Sequence, residues 1–272
     1  MNAERLRACV LGSGSGGNCV ALEGPGGIVL LDAGFSPRET RRRMALRGLH
    51  PASVRAVVLT HPDSDHLHPG WRKAVGGLTG PRLVVRGRHA EAVRSQGYMA
   101  AWLDERSGPF EQAGIRFEPF PLPHDSLGST AFRASVGDRR LAHATDCGRA
   151  TRGLAEFLAG ADLLFLESNY DPPMQQVSGR PQRLIERITG GRGHLSNEEA
   201  LAVAVRVDGL QPLQALVLLH LSRECNCPHL VRRLYAERAP ALAGRLVVTS
   251  QHEPAGVLEA QPTLRLATLF DA

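Results

Sequence analysis

Short apolar and β-branched runs, each closed by glycine, proline or a small polar cluster, recur along the whole 272-residue chain, and runs of this length read as strands. The first three, Arg5 to Leu11, Cys19 to Glu23 and Ile28 to Leu31, are separated by the glycine-rich stretches Gly12 to Asn18 and Gly24 to Gly27, which predicts a meander. Ser36-Pro37-Arg38-Glu39 then opens a helix, with a serine cap, proline at the first helical position and a glutamate to close the capping box. Gly48 ends that helix. Further on, the pattern predicts a buried strand over Val54 to Leu59, a helix around Trp71 to Val75, a strand over Arg82 to Arg86 and a helix around His89 to Ser95. Strands follow at Ile115 to Phe120, Ala131 to Val136, Arg140 to Ala144, Leu163 to Leu166 and Leu213 to Leu219. Ser196-Asn197-Glu198-Glu199 caps an apolar-periodic helix through about Val207, and Asn226 with Pro228 starts another. Arg245 to Thr249 and Gly256 to Ala260 close the chain as strands.

Strand-turn-strand and strand-helix segments alternate throughout, which predicts an α/β protein with two mixed sheets packed face to face and helices outside. With no 20-to-50-residue repeat, low-complexity tract or linker, residues 1–272 read as a single domain.

Composition refines this picture. The 43% apolar content supports a substantial core. No apolar segment resembling a signal peptide precedes Arg7 and no run is long enough to span a membrane, so the sequence reads as cytoplasmic. Five cysteines, Cys9, Cys19, Cys147, Cys225 and Cys227, fit reduced thiols rather than a disulfide framework. The net charge of +5 favours a polyanionic partner, but Lys73 is the only lysine, and such an arginine bias weakens the inference.

Chemistry concentrates in Thr60-His61-Pro62-Asp63-Ser64-Asp65-His66, directly after the buried Val54 to Leu59 run. His61, Asp63, Asp65 and His66 are four ligand types in six residues, a spacing suited to a loop around a metal ion. Polar ligand types recur at later strand ends: His124, Asp146, His194 and His220. Strands pointing the same way gather such residues at one rim, and together they suffice for two metal ions. Gly12-Ser13-Gly14-Ser15-Gly16-Gly17 matches a dinucleotide fingerprint, yet it leads into a strand rather than a helix and reads as a structural turn.

The ordered set of ligands, with Leu11-Gly12-Ser13-Gly14-Ser15-Gly16-Gly17-Asn18, Leu31-Asp32-Ala33-Gly34, Glu167-Ser168-Asn169-Tyr170-Asp171, Gly193-His194-Leu195-Ser196-Asn197 and His220-Leu221-Ser222, resembles the YycJ/WalJ branch of metallo-β-lactamase-fold hydrolases. The resemblance spans nearly the whole chain and implies an αββα sandwich. It also implies a two-metal phosphodiesterase, a DNA exonuclease that uses a hydroxide shared between two divalent ions, zinc or manganese. By position, His61, Asp63 and His124 hold the first metal and Asp65, His66 and His220 the second, with Asp146 bridging both. Asp32 supports the histidine loop from behind. Asp65 and His194 are the catalytic residues, His194 by phosphate contact or protonation of the leaving oxygen. Asp63 departs from the family's usual second histidine. A His-x-Asp-x-Asp-His version also occurs in the nuclease-like domain of the ComEC competence channel, and its harder donor tilts preference toward manganese.

The same scaffold serves small-molecule hydrolases, such as cyclic-phosphate phosphodiesterases and thioester or lactone hydrolases, so the site alone leaves that alternative open. Nucleic acid, DNA foremost, is the expected partner, with no membrane and no assignable oligomeric state. Cys225-x-Cys227 offers too few ligands for a zinc knuckle, and Cys147 reads as a small packed residue. His50, His68, His89, His143, His229 and His252 read mostly as surface histidines, His68 being the one close enough to His66 to keep in view. Arg38, Arg41, Arg42, Arg43 and Arg47 read as a solvated helix face.

Overall fold

The protein is described by a computed structural model covering residues 4–77 and 79–263. Its first strands are β1 (Arg7–Gly12), β2 (Cys19–Gly24), β3 (Gly27–Leu31), β4 (Val54–Val58), β5 (Arg82–Arg86), β6 (Leu103–Arg106) and β7 (Phe110–Gln112). Those that follow are β8 (Ile115–Leu122), β9 (Ser129–Val136), β10 (Arg139–Ala144), β11 (Leu163–Glu167), β12 (Ala215–Leu219), β13 (Leu246–Val248) and β14 (Leu258–Glu259). They form two seven-stranded sheets, ordered β14-β1-β2-β3-β4-β5-β6 and β13-β12-β11-β10-β9-β8-β7. Each sheet is half meander and half crossover. β14, β1, β2 and β3 pair antiparallel while β3 to β6 run parallel; β7 to β10 pair antiparallel while β10 to β13 run parallel.

The period-two alternation of each strand divides its apolar residues between two layers. Val10, Val20, Leu22, Leu31, Val58 and Val84 of the first sheet meet Phe117, Phe132, Leu141, Phe165 and Val217 of the second in the central layer. The opposite face of the first sheet, with Leu11, Ile28, Leu30 and Val57, packs on Met44, Trp71, Ala90 and Val93. The opposite face of the second, with Ala142, Leu164, Leu166 and Leu218, packs on Leu154, Leu158, Leu201, Val207, Val231 and Tyr235. The covering helices are Pro37–Ala45 and Gly87–Ser95 on one side, and Arg152–Leu158, Asn197–Leu210 and Pro228–Arg238 on the other. The central strands of both sheets are therefore covered on both faces, the αββα arrangement expected from the sequence. Removing a fully enclosed side chain such as Phe165 costs about 3–5 kcal/mol.

Several local expectations need correction. The segment around Trp71 is a 3-10 turn, Pro69–Lys73, because the glycines at 76 and 77 both adopt left-handed φ and stop the helix. β6, β7 and the helices Pro172–Gln176 and Gln182–Thr189 lie where no element was expected. His89 and His143 are buried rather than on the surface; His143 lies in a strand covered on both faces. Arg43 is buried as well, its guanidinium over the Phe35 ring and donating to the carbonyls of Leu11 and Gln251. Arg43 is thus structural rather than part of a solvated face.

Candidate metal centre

Parallel strands deliver the polar residues to one edge, and both sheets contribute. Asp32 follows β3 and the His61 to His66 loop follows β4, while His124, Asp146, Glu167 and His220 end or follow β8, β10, β11 and β12. Asp32, Asp146 and His220 all adopt left-handed backbone, with φ of 60°, 52° and 55°. Such a conformation costs a non-glycine residue about 1–3 kcal/mol and persists only where the surroundings hold it. Here it turns each side chain off the end of its strand into the common site. Gly34 fits the same crossing: a Cβ there would stand 1.8 Å from the Asp65 carbonyl oxygen.

Asp32 organises the histidine loop. Its Oδ1 accepts from the Thr60 backbone N–H at 2.8 Å, and its Oδ2 lies 2.9 Å from the Thr60 hydroxyl and 2.7 Å from His66 Nδ1. That hydrogen bond fixes the ring so that His66 Nε2 faces inward, 3.0 Å from Asp146 Oδ2. The Thr60 hydroxyl also stands 3.0 Å from His61 Nδ1, and His124 Nδ1 lies 2.9 Å from the Gly193 carbonyl it donates to. Each of these three imidazoles has one nitrogen engaged from behind and Nε2 turned toward the centre.

Three groups present ligand atoms within 4.8 Å of one another: His61, Asp63 and His124; His61, His66 and Asp146; and Asp146, Glu167, His194 and His220. Asp146 joins the two sides, with Oδ1 3.2 Å from His220 Nδ1 and 3.8 Å from His124 Nε2. Asp63 Oδ2 lies 3.6 Å from His61 Nε2 with its side chain 50% exposed, so it caps the site from the solvent side. Asp65 falls outside these groups, yet its Oδ2 stands 3.6 Å from His66 Nε2 and 3.8 Å from His220 Nε2. His61, Asp63, His66, His124, Asp146 and His220 thus fall within these groups, and Asp65 stands at their edge. His68 is not among them: its Nδ1 accepts from Gly70 N–H and caps the 3-10 turn.

Glu167 is the residue that the ligand assignment overlooked. Wholly buried, it accepts from the backbone N–H groups of Asp146, Cys147 and Leu195 and from His194 Nδ1 at 2.8 Å. The signal is present in the sequence, because an acid closing the run Leu163-Leu164-Phe165-Leu166 must find partners inside. Asn18 is a second such residue: its side chain lies 3.0 Å from His66 Nε2 and 3.3 Å from Asp65 Oδ2, so the glycine turn buttresses the centre.

Electrostatics follow the geometry. Burial raises the Glu167 carboxyl, but His194 and His220 outweigh it and hold the group down to about 2. Burial likewise opposes ionisation of Asp146, and His220 and His66 overcome it, leaving that carboxyl well below its usual range. His66 is raised well above its ordinary value and His220 to about 10, since Asp146, with Asp32 and Asp65 in one case and Glu167 in the other, outweighs desolvation. His61 goes the other way, lowered by burial and by the charge of His66. The clustered carboxylates thus demand neighbouring cations, and imidazole plus carboxylate donors are the chemistry that divalent metals take. The residues fit a divalent metal site.

The family described as "Beta-lactamase superfamily domain" matches residues 28–221, a stretch that contains every one of these side chains except Asn18. The chain belongs to the beta-lactamase superfamily. Among curated proteins it is 29% identical over 239 residues to a Streptococcus pneumoniae protein named exodeoxyribonuclease WalJ, covering 85% of this chain and 87% of the relative. It is 26% identical over 234 residues to exodeoxyribonuclease YycJ of Bacillus anthracis, covering 84% and 86%. Among solved structures, the metallo-beta-lactamase fold protein YhfI of Bacillus subtilis superposes with a TM-score of 0.69 at 17% identity, over 94% of this chain and all of that one. This last likeness is one of fold. The superfamily fold, two sheets with the ligand-bearing loops at one edge, is the one described above. Among the described residues no helix is long and apolar enough to cross a membrane.

The five cysteines are free, and Cys147 is packed beside the centre with its thiol raised well above the usual value by burial and by Glu167 and Asp146. It is a packing residue rather than a nucleophile. Cys225 is likewise buried against Tyr170 and Ile188 and joins no ligand group among the described residues.

Proposed function

We propose that this protein is a metal-dependent DNA exonuclease with two divalent ions, manganese or zinc, held by His61, Asp63 and His124 on one side and Asp65, His66 and His220 on the other. The observation that carries this reading is the position of Asp146, whose two carboxylate oxygens face ligands of both sets. The relatives named exodeoxyribonuclease support the substrate class. When bound, such ions activate water and neutralise phosphate oxygens, which suits phosphodiester hydrolysis without a protein nucleophile.

The chain's own residues do the rest. Asp32, Thr60 and the Gly193 carbonyl fix the imidazoles. Asp65, one quarter exposed, lies at the open side, where it orients the attacking water. Glu167 accepts from His194 Nδ1, which turns Nε2 toward the departing oxygen, to which the imidazolium form of the ring would donate its Nε2 proton. The histidine lines the adjoining cavity, within reach of a bound strand. The test is digestion of linear duplex DNA and of the same duplex as a closed circle, with manganese or zinc and after chelation. Metal-dependent loss of the linear form with the circle spared supports the reading. Hydrolysis of a small aryl phosphodiester with both DNA forms intact would select the small-molecule alternative.

A further inference from the structure

A cavity of about 390 Å³ opens beside His194 and His220. That volume lies in the range of small-ligand sites, about 300–1,000 Å³. Arg180, Arg187 and Arg223 all line it, together with the hydroxyl-bearing Ser15 of the glycine turn and Ser222. Leu184 and Ile188 add an apolar wall. The three guanidiniums differ in their engagements. Arg180 is paired with the exposed Glu224 at 2.8 Å, and Arg187 with Asp125, its Nε 2.9 Å from Oδ1. Arg223 is exposed and has no carboxylate partner among the described residues. Surface pairs of this kind contribute about 0–1 kcal/mol, so Arg180 and Arg187 exchange their carboxylates for a stronger acceptor at little cost.

We infer that this cavity is a subsite for the terminal phosphate of a nucleic-acid chain, with Arg223 as its principal cation. The inference rests on the nuclease reading above. A phosphomonoester carries about −1.5 to −2 charges and three acceptor oxygens, against one charge for an internal diester. Clustered arginines, which bind phosphate bidentately, match the terminal group better. The apolar wall gives the terminal sugar and base a surface, and the shared His194 and His220 put the occupant next to the hydrolytic centre.

The experiment compares metal-loaded protein on one duplex carrying a phosphate at the 5′ ends, at the 3′ ends or at neither, reading the ratio of kcat/KM within each protein. Wild type should favour one phosphorylated end over hydroxyl ends by about tenfold or more, the effect of a charge-assisted hydrogen bond. R223Q should collapse that ratio and R223K restore part of it, while R232Q, an exposed arginine on the helix Pro228–Arg238, should leave it unchanged. Degradation of all three duplexes at equal rates by wild type overturns the subsite and leaves the nuclease reading standing. A preference that survives R223Q and R180Q assigns it elsewhere and also overturns the subsite. No degradation of any duplex with either metal removes the nuclease reading and the inference with it.

Discussion

Glu167 Oε1 lies 2.8 Å from His194 Nδ1, a buried carboxylate fixing the imidazole that borders the cavity. The same carboxylate receives three backbone N–H groups from the loops carrying Asp146 and His194. It therefore aligns two site residues that are 48 positions apart in sequence. The Glu167→Gln variant keeps the shape but replaces an acceptor-only group with one bearing an amide donor. We expect kcat to fall about 10–100-fold with KM nearly unchanged, the usual scale for a group that orients site residues. Steady-state kinetics with metal content measured in parallel checks this; unchanged kcat would remove the role given to His194.

Asp63 caps the first ligand set with an oxygen donor where the family's histidine is longer and neutral. Its carboxyl is pushed above the usual range by burial, although His124 and His66 pull the other way. Oxygen donors suit harder ions, so wild type should take manganese in competition with zinc, and Asp63→His should shift the preference toward zinc. Competitive loading followed by elemental analysis reads the shift. If wild type holds one ion and Asp63→His restores the second, Asp63 is a lost ligand.

His143 is buried in β10, its Nδ1 lacks a hydrogen-bond partner among the described residues, and burial lowers its pKa to about 4. Its ordinary value is 6.5. Above that value the ring is neutral both folded and unfolded. Between the two values the unfolded chain binds a proton that the folded protein refuses, so stability falls as pH drops, by about 3 kcal/mol at most. Urea unfolding of chelated protein at pH 7.5 and 5 should show a smaller acid loss for His143→Leu than for wild type. Equal losses would contradict the buried neutral state.

Removing metal should also unload the fold. Ligands that bind only the native state stabilise by mass action, by about 2.7 kcal/mol at a hundredfold excess over Kd. For a chain of this size that corresponds to roughly 5–10 °C in Tm. Thermal denaturation with chelator and with added manganese or zinc should separate by that margin, and coincident curves would argue against a bound ion at the Asp146 cluster.

Much of this was legible in the sequence because its signals are local. The run Val54 to Leu59 and the His61 to His66 loop are adjacent in the chain, and the capping box at Ser196 carries its own hydrogen-bonding logic, while at Ser36 only the serine cap forms because the Glu39 carboxylate pairs with Arg42 and Arg43. What sequence pattern hid depends on partners. β6 reads Leu-Asp-Glu-Arg, polar because only β5 pairs with it and its outer residues face water. The helix Gln182–Thr189 starts after Pro181 without a side-chain cap, so nothing announces its beginning. His89 and His143 resemble surface histidines until the layers on both sides are known. The apolar run before Glu167 marks it as a buried acid, but its partners are defined only when the loops holding Asp146, His194 and His220 come together around it.

On the proposed reading, Asp146 serves two metal sites at once. Elemental analysis of purified wild type and Asp146→Ala, each loaded with manganese or zinc and assayed for phosphodiester hydrolysis, tests it directly. Two ions per wild-type chain are expected, and in the variant a loss from both sites with activity falling to background. A variant that keeps two ions and full turnover would contradict it.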